Sequence, residues 1–469
     1  MWGDTNFKEV TLADRARGFG YVPAMADLLA LSSRIIDSGH ADQPVNRVTN
    51  ELSELADGLA MVESFSHSVA VRTAEGIVAF DSSGVHTGEA VVAALRSWCP
   101  DPVSHLVYTH GHADHVGGST FFAAAADRDG HRVPLVIGHE HVARRLDRYA
   151  FTNNWNLIIN ARQFGGVPGE LNLGIGDMGD GTTAMVPANA RSFLPRSTMR
   201  PDQEIGAFAA ITIGDDAVEL HHARGETDDH LWAWFPERKW VMTGDFVIWN
   251  FPNAGNPQKV QRYPIEWAGA LRAMIAKRPE LLLPAHGLPI EGADRIARVL
   301  DEIATALEEL VEQVIALMNT GATLDTIIHT VTVPADTLAT PYLRPFYDEP
   351  EFVVRNVYRQ FGGWWDGAAS RLKPAPDAQL AGVLAEMVGG ADVLVRRAER
   401  AAADGDFRLA CHLADHAGWA SPDDAAVHAA RAAIYTARRK VEPSLMSKGI
   451  FAAAARESQI VVERTDAPQ

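Results

Sequence analysis

The sequence predicts an α/β domain followed by an all-α domain. Between residues 60 and 295, short apolar runs alternate with helical stretches, and strands separated by helices are typical of layered α/β domains. From residue 377 to the end, the chain consists of Ala-rich amphipathic stretches without a run typical of a strand. At about 150 residues per domain, the length of 469 residues fits two or three domains.

Composition and charge indicate an acidic globular protein. Apolar residues make up 47% and charged residues 22% of the chain, and 60 Asp and Glu against 42 Lys and Arg give a net charge of −18. This balance argues against nucleic-acid binding, whereas an anionic small substrate stays possible because a bound metal reverses the local charge. Cys99 and Cys411 stand alone, so we expect free thiols. The first ten residues lack the apolar core of a signal peptide and no long apolar run exists, so we expect a cytoplasmic location and no membrane partner.

The elements of the α/β part follow in order along the chain. Residues 1–55 form a polar lead-in with a short helix at Ala24–Ile36, and a helix is predicted at residues 88–98. The segment 172–201 is rich in Gly, Pro and Thr, which indicates a long loop or insertion. Strands are predicted at residues 67–72, 76–81, 105–109, 209–213, 218–221, 231–235, 240–243 and 281–284.

The sequence changes character near Asp294. Residues 296–318 carry apolar side chains at helical spacing, and the pattern stops at a Thr-Gly pair. Later helices are separated by Gly405-Asp406 and by a Ser-Pro-Asp turn at residues 421–423. Stacked helical hairpins and an ordinary helical bundle fit this pattern equally well. We therefore predict an α/β domain over residues 56–295, after the lead-in, and an all-α domain over residues 296–469.

The most informative segment places four ligand-type side chains within six residues, directly after an apolar strand. They are His110, His112, Asp114 and His115. Imidazole and carboxylate are the donors that suit zinc and related divalent ions. Side chains at i and i+2 project alike, so we expect His110 and His112 to share one metal and the other two residues to face a second.

Two metals require further ligands, and three candidates follow or close apolar runs. Glu226, Asp245 and His286 each have a glycine next to them, and loops at strand ends commonly supply the ligands of layered α/β domains. Each alone is typical of a turn or a helix cap. Their order after the histidine cluster favours a dinuclear site.

This order of motifs resembles that of the metallo-β-lactamase-fold hydrolases. The pattern His-x-His-x-Asp-His, a Gly-Asp after a strand and a late Ala-His-Gly all match, and Asp81 fits the early strand-end aspartate of the family. The resemblance implies an αββα sandwich. Most of the superfamily place His where this chain has Glu226. Glutamate there looks like the alkylsulfatase, SDS-hydrolase-like branch, which carries a bridging acid 19 residues further on, here Asp245.

The resemblance extends into the helical part. Residues 356–367, 389–392 and 403–407 are similar to the alkylsulfatase dimerisation domain, which implies a homodimer formed through the C-terminal domain. We expect no counterpart of the sterol-carrier-like third domain of the larger alkylsulfatases. We therefore expect a sulfate ester of a modest apolar alcohol rather than a long-chain surfactant.

Carried over to this chain, the resemblance implies two Zn²⁺ ions and their ligands. His110, His112 and Glu226 would hold the first ion. The second would be held by Asp114, His115 and His286, with Asp245 bridging. Asp114 and Asp245 are therefore the predicted catalytic residues. Two metals about 3.5–4 Å apart can hold a bridging hydroxide, which would attack the ester.

The substrate contacts are less clearly marked by the sequence. A sulfate-binding arginine of the larger alkylsulfatases falls on Gln258, and we expect Lys259 or Arg262 to replace it. Arg355 is a second candidate for anion binding, and Asn160 is a candidate for the pocket wall. The predicted activity is zinc-dependent cleavage of alkyl sulfates to alcohol and sulfate. The alternatives are hydrolysis of another ester, a lactone or a β-lactam, or a protein-interaction scaffold with a vestigial site, which the complete ligand set argues against.

Overall fold

The computed structural model describes residues 27–166 and 192–466, and its first part is built on two mixed sheets. The predicted lead-in up to residue 26 and most of the predicted loop at 172–201 lie outside the described residues. One sheet contains β1 (Leu52–Ala56), β2 (Leu59–Val62), β3 (Ser68–Thr73), β4 (Gly76–Phe80), β5 (Val103–Val107), β6 (Leu135–His139) and β7 (Gln203–Ile205) in that spatial order. The other contains β8 (Phe208–Ile213), β9 (Asp216–His222), β10 (Leu231–Phe235), β11 (Trp240–Gly244), β12 (Leu281–Pro284) and β13 (Ile290–Glu291).

Parallel pairing occurs at the strands that carry the site. β4, β5 and β6 are parallel neighbours, and so are β11 and β12, whereas β1 to β4 and β8 to β11 pair antiparallel. The carboxyl ends of parallel neighbours lie at the same edge of a sheet. Loops that follow β4, β5, β11 and β12 can therefore converge.

Helices cover the sandwich and then form the second part of the chain. The first group comprises α1 (Leu28–Ser38), α2 (Gly88–Trp98), α3 (Ala113–Val116), α4 (Ser119–Arg128), α5 (Val142–Phe151), α6 (Asn153–Gln163) and α7 (Pro264–Lys277). The second comprises α8 (Ala293–Asn319), α9 (Leu324–Thr330), α10 (Ala335–Ala339), α11 (Pro350–Gly362), α12 (Ala369–Leu372), α13 (Asp377–Val388), α14 (Ala391–Ala403), α15 (Phe407–Ala420), α16 (Ala425–Val441) and α17 (Leu445–Asp466). Among the described residues no strand follows β13, which confirms the predicted fold class.

Alternation along β3 shows how the layers are arranged. Val69 and Val71 belong to the large core between the two sheets, where the Phe80 and Phe235 rings meet at 5.9 Å, while Ala70 belongs to a second core. That second core also contains Val91 of α2 together with residues of α4 and α5. Because side chains of a strand alternate between its faces, the first sheet is covered by helices on one face and by the second sheet on the other.

Helices near both ends of the helical part pack against the sandwich part. Leu300, Ile303 and Leu307 of α8 are buried in the core of the sandwich, so this helix covers the second sheet. Near the other end of the chain, α17 contacts α6, where a side chain at Gly449 would meet the carbonyl oxygen of Gln163. No single described helix is long and apolar enough to cross a membrane; α13 and α14 qualify only as a pair, which is bent by 89°.

Candidate metal centre and substrate cavity

The seven predicted ligands come together at one end of the sandwich. His110 and His112 lie in the loop after β5, and Asp114 and His115 are in the short helix α3. Glu226 lies in the loop between β9 and β10, and the two remaining residues, Asp245 and His286, follow β11 and β12. Their donor atoms form two groups, within each of which all atoms lie within 4.8 Å of one another.

The first group consists of His110, His112, Glu226 and Asp245. His110 Nε2 lies 2.9 Å from His112 Nδ1 and 3.8 Å from Asp245 Oδ2. His112 Nδ1 lies 3.6 Å from Glu226 Oε1. Two imidazoles and two carboxylates therefore face a common point, which is a donor set that suits zinc.

The second group consists of Asp114, His115 and His286. His115 Nε2 and His286 Nε2 lie 3.6 and 3.4 Å from Asp114 Oδ2. The same two nitrogens lie 3.4 and 3.6 Å from Asp245 Oδ1. Since the other oxygen of Asp245 faces His110, this carboxylate is placed to bridge the two groups.

Buried polar atoms at the site fit metal ligation. His115 Nε2, Glu226 Oε2 and Asp245 Oδ1 are buried and have no hydrogen-bond partner within the described chain. Such atoms are costly unless a ligand satisfies them, and all three belong to the two donor groups. A divalent cation in each group would satisfy them.

Protonation states at the site are set by burial and mutual charge. Burial and the neighbouring histidines hold the pKa of His110 well below its usual range, so the ring stays neutral. Against the effect of burial, Asp245, Asp81 and Asp114 hold the pKa of His115 well above its usual range. Burial, reinforced by Asp245 and opposed by Arg262, raises the pKa of Glu226 to about 8. Without metal the site therefore keeps protons that a cation must displace.

Asp81 holds His115 in the orientation that ligation requires. Its carboxylate accepts hydrogen bonds of 2.7 Å each from Thr109 N, Thr109 Oγ1 and His115 Nδ1. Because Nδ1 of His115 donates to Asp81, its Nε2 is free to face the second group. Asp81 has φ 61°, a left-handed conformation that Asp tolerates better than most residues.

Glu226 is held by a buried arginine. Arg262 Nη1 lies 2.5 Å from Glu226 Oε1 and also donates to the carbonyl oxygen of Asn253, while Asn253 Nδ2 lies 2.6 Å from the same carboxylate oxygen. Arg262 and Glu226 have only 2% and 4% of their side-chain surface exposed. Arg262 was predicted to bind substrate, but its guanidinium is engaged by the metal-site glutamate.

A cavity of about 830 Å³ opens onto both donor groups. His112, Asp114 and His286 are among the residues that line it, and residues of the helical part contribute to its wall. Apolar lining comes from Phe65, Tyr149, Trp155, Ile159, Phe164, Phe193, Ile248, Pro341, Phe346 and Leu445. The cavity therefore offers the two donor groups and an apolar wall to one bound molecule.

The structure places the four predicted substrate-binding residues differently. Lys259 lines the cavity with its Nζ 3.3 Å from Asn160 Oδ1, and Arg262 lines it while paired with Glu226. Asn160 is buried, and its Nδ2 donates to the carbonyl oxygen of Asn156, so both of its polar groups are used. The prediction for Arg355 is corrected: its exposed side chain is paired with Glu351 at 3.0 Å and does not line the cavity.

Several cavity residues were missed by the sequence analysis, among them three arginines and a tyrosine. Arg148 comes from α5, and the other three belong to the helical part: Arg344, Tyr347 and Arg359. Isolated arginines carry no spacing signal, and only the packing of the second part against the first places them at the cavity. Gln163 of the first part donates a hydrogen bond of 2.5 Å to the hydroxyl of Tyr347, so this contact also joins the two parts.

Comparisons with known proteins match both parts of the chain. Residues 61–286 match the metallo-beta-lactamase superfamily, and residues 323–460 match the alkyl sulfatase dimerisation family. A linear primary-alkylsulfatase of Pseudomonas sp. (strain ATCC 19151) is 24% identical over 76% of this chain and 66% of its own length. An (R)-specific secondary-alkylsulfatase of Pseudomonas sp. is 25% identical over 74% of this chain and 53% of its own length. The chain thus spans between half and two thirds of these relatives.

The solved structures show the same arrangement of both parts. The stereoselective inverting sec-alkylsulfatase Pisa1 from Pseudomonas sp. superposes with a TM-score of 0.75, at 21% identity, over 90% of this chain and 66% of that chain. The superposition includes the sandwich and the helical part, since it covers nine tenths of the residues. The chain therefore contains a metallo-beta-lactamase domain, which is followed by an alkyl sulfatase dimerisation domain.

Proposed function

We propose that the protein hydrolyses sulfate monoesters of apolar alcohols with the help of two divalent metal ions, zinc being the ion that the donor set suits best. The observation that carries the proposal is the pair of donor groups that share Asp245 and line a partly apolar cavity. The similarity to alkylsulfatases in both parts of the chain supports the choice of substrate class.

The predicted ligands would hold two metal ions, one in each donor group. His110, His112 and Glu226 would hold one ion. Asp114, His115 and His286 would hold the other, with Asp245 between them. When bound, the ions would supply Lewis acidity and a water that is nucleophilic at neutral pH. Asp114 Oδ2 faces both histidines of its group, so it is also placed to accept a proton from a water that enters the cavity.

Lys259 is the cation best placed to bind the sulfate group. Burial and the nearby Arg262 lower the pKa of Lys259 to about 8, while Asp114 and Glu226 act in the opposite direction. An ammonium that is partly desolvated in this way gains from a bound anion. Asn160 accepts from Lys259 at 3.3 Å, so it acts as a positioning residue that directs the ammonium into the cavity.

The apolar wall of the cavity would bind the alcohol part of the ester. Trp155 and Ile159 of α6, together with Phe65 and Phe346, line the same cavity as Lys259. An ester whose head lies at the metal centre would bury its apolar body against these side chains. At about 25 cal/mol per Å² of apolar surface, this contact favours an alkyl or aryl alcohol over a sugar.

Release of inorganic sulfate tests the proposal. Zinc-loaded protein is given alkyl sulfates of graded chain length, and sulfate is measured by ion chromatography. We expect sulfate release with an optimum chain length. We expect Lys259→Met to lower kcat/KM about 10- to 100-fold, as for loss of a hydrogen bond to a charged group.

The matched control variant is Lys239→Met. Lys239→Met removes an exposed lysine that pairs with Glu280 on the surface, so its kcat/KM should stay close to that of the wild type. Failure to release sulfate from any ester, with two metals shown to be bound, would refute the proposal and direct the assays to carboxylic esters, lactones and β-lactams.

We also propose that the protein forms a homodimer through its helical part. The match to the alkyl sulfatase dimerisation family supports this, and so does α13, on which Leu380, Val383 and Met387 are exposed at helical spacing. Sedimentation measures the mass directly. We expect Val383→Glu with Met387→Glu to produce monomers that retain their helical circular dichroism, and a dimer of unchanged stability would refute the use of this face.

A further inference from the structure

The cavity carries more positive charge than one sulfate group requires. Its described lining includes four cationic side chains without a carboxylate partner in the described chain: Arg148, Lys259, Arg344 and Arg359. The acidic side chains of the same lining, Asp114, Glu226 and Asp245, all belong to the two donor groups. In a chain with 60 acidic against 42 basic residues, four unpaired cations around one cavity call for a ligand.

Neutral partners hold the two arginines from the helical part. Arg359 Nε lies 3.0 Å from Gln261 Oε1 and its Nη2 lies 3.2 Å from Asn356 Oδ1. Arg344 Nε donates to the carbonyl oxygen of Ala339 at 3.3 Å. Amides and carbonyls orient a guanidinium without neutralising it, so both arginines keep their full charge for a bound anion.

The two arginines also differ from Lys259 in where they come from. Lys259 lies within the electrostatic reach of Asp114 and Glu226, which belong to the two donor groups. Arg344 follows Pro341 and precedes Phe346, which are apolar lining residues contributed by the helical part. A ligand in contact with both sets therefore has an anionic head, an apolar body and a second anion.

We propose that the preferred substrate is a sulfate ester whose apolar body carries a second anionic group, which Arg344 and Arg359 bind. This inference rests on the proposed sulfatase activity for its reaction and adds a specificity site to it. A carboxylate has two oxygen atoms and a sulfonate has three. In either group, two of these oxygens can accept hydrogen bonds from one guanidinium. The second group takes no part in bond cleavage.

A pair of matched substrates tests the proposal. Decyl sulfate is compared with its analogue in which the terminal methyl is replaced by a carboxylate, and kcat/KM is measured for each. We expect the wild type to prefer the carboxylated ester. In the double variant Arg344→Gln, Arg359→Gln, the ratio of the two kcat/KM values should fall about 10-fold or more, as for lost hydrogen bonds between charged groups.

The control separates binding from general electrostatic steering. Arg396→Gln removes a positive charge from the same helical part at an exposed site, where Arg396 pairs with Asp392, and should leave the ratio unchanged. An unchanged ratio in the double variant, or a wild-type preference for decyl sulfate, would overturn the proposal.

Binding measurements keep this inference distinct from the proposed activity. Decane sulfonate and its carboxylated analogue resist hydrolysis, and calorimetry measures the affinity of zinc-loaded protein for each. Tighter binding of the carboxylated sulfonate, lost in the double variant, supports the second-anion site even if no sulfate ester is cleaved. Equal affinities would refute it whatever the turnover results are.

Discussion

The replacement Asp81→Asn tests whether the orientation of His115 determines the second metal site. The carboxylate of Asp81 accepts from Thr109 N and from His115 Nδ1, at 2.7 Å each. In the asparagine variant, the backbone N–H of Thr109 requires an oxygen opposite it, so the amide nitrogen must face His115. An amide N–H donates to Nδ1 of the ring, and the ring proton then moves to Nε2. That nitrogen faces Asp114 and Asp245, and in the protonated form it cannot ligate a cation.

The expected loss of metal affinity can be taken from other residues that orient a ligating histidine, as Asp81 does. Loss of a residue that orients a ligating histidine costs about 10- to 100-fold in metal affinity, or about 1.4–2.7 kcal/mol. The loss should fall on the second group, because the first group does not contact Asp81 directly. Asparagine also tolerates the left-handed backbone at this position, where φ is 61°, so the fold should be retained.

Competition with a chromophoric zinc chelator measures the two affinities separately. We expect one ion to bind as in the wild type and the other 10- to 100-fold more weakly. Asp216→Asn is the matched control, because Asp216 is also a buried carboxylate but pairs with Arg238 away from the site. Two ions bound at wild-type affinity in Asp81→Asn would refute the reasoning.

Three further predictions concern catalysis, stability and pH. His112→Ala should abolish turnover and weaken metal binding while the circular dichroism is retained; undiminished rates or an unfolded variant would contradict the site. Arg262→Met leaves Glu226, which is ionised when it holds a metal, buried without a counter-charge from the protein and should lower the free energy of unfolding of the zinc-loaded protein by about 3–5 kcal/mol in denaturant titrations, against less than about 1 kcal/mol for Arg396→Met. Burial lowers the pKa of His67 to about 4, so between about pH 6.5 and 4 the unfolded chain binds a proton that the folded protein excludes. Stability should therefore fall as the pH is lowered through this window, by up to about 3 kcal/mol from this group, and His67→Gln should make the fall shallower; an equal slope in both proteins would contradict the assignment.

The metal donors could be predicted because their signals are local. Four of them, His110 to His115, lie within six residues after one strand, and Asp245 and His286 directly follow the parallel neighbours β11 and β12. The strand-to-loop pattern fixes these positions before any tertiary contact is known. Glu226 was found in the same way, beside a glycine after an apolar run, and the resemblance then assigned it to the first ion.

The groups around the donors could not be predicted in this way. Arg262 and Glu226 are 36 residues apart, and nothing in the sequence around either one marks the other as its partner. Arg344 and Arg359 depend on how the helical part packs against the sandwich. Similarly, α8 was predicted to begin the all-α part, yet Leu300 and Leu307 are buried in the core of the sandwich, because the uncovered face of the second sheet requires a helix.

The pairing of Arg262 with Glu226 changes how the first metal group should be understood. From the sequence, a glutamate in place of the neutral histidine of the superfamily adds a negative charge, which would weaken the metal as a Lewis acid. In the structure, that charge is balanced at 2.5 Å by a guanidinium that is itself almost fully buried. The low dielectric of the site makes this compensation strong, so the group differs from a histidine site more in geometry than in net charge. With Lys259 nearby, the centre with both ions bound keeps the positive potential that an anionic ester requires, although the chain as a whole carries −18.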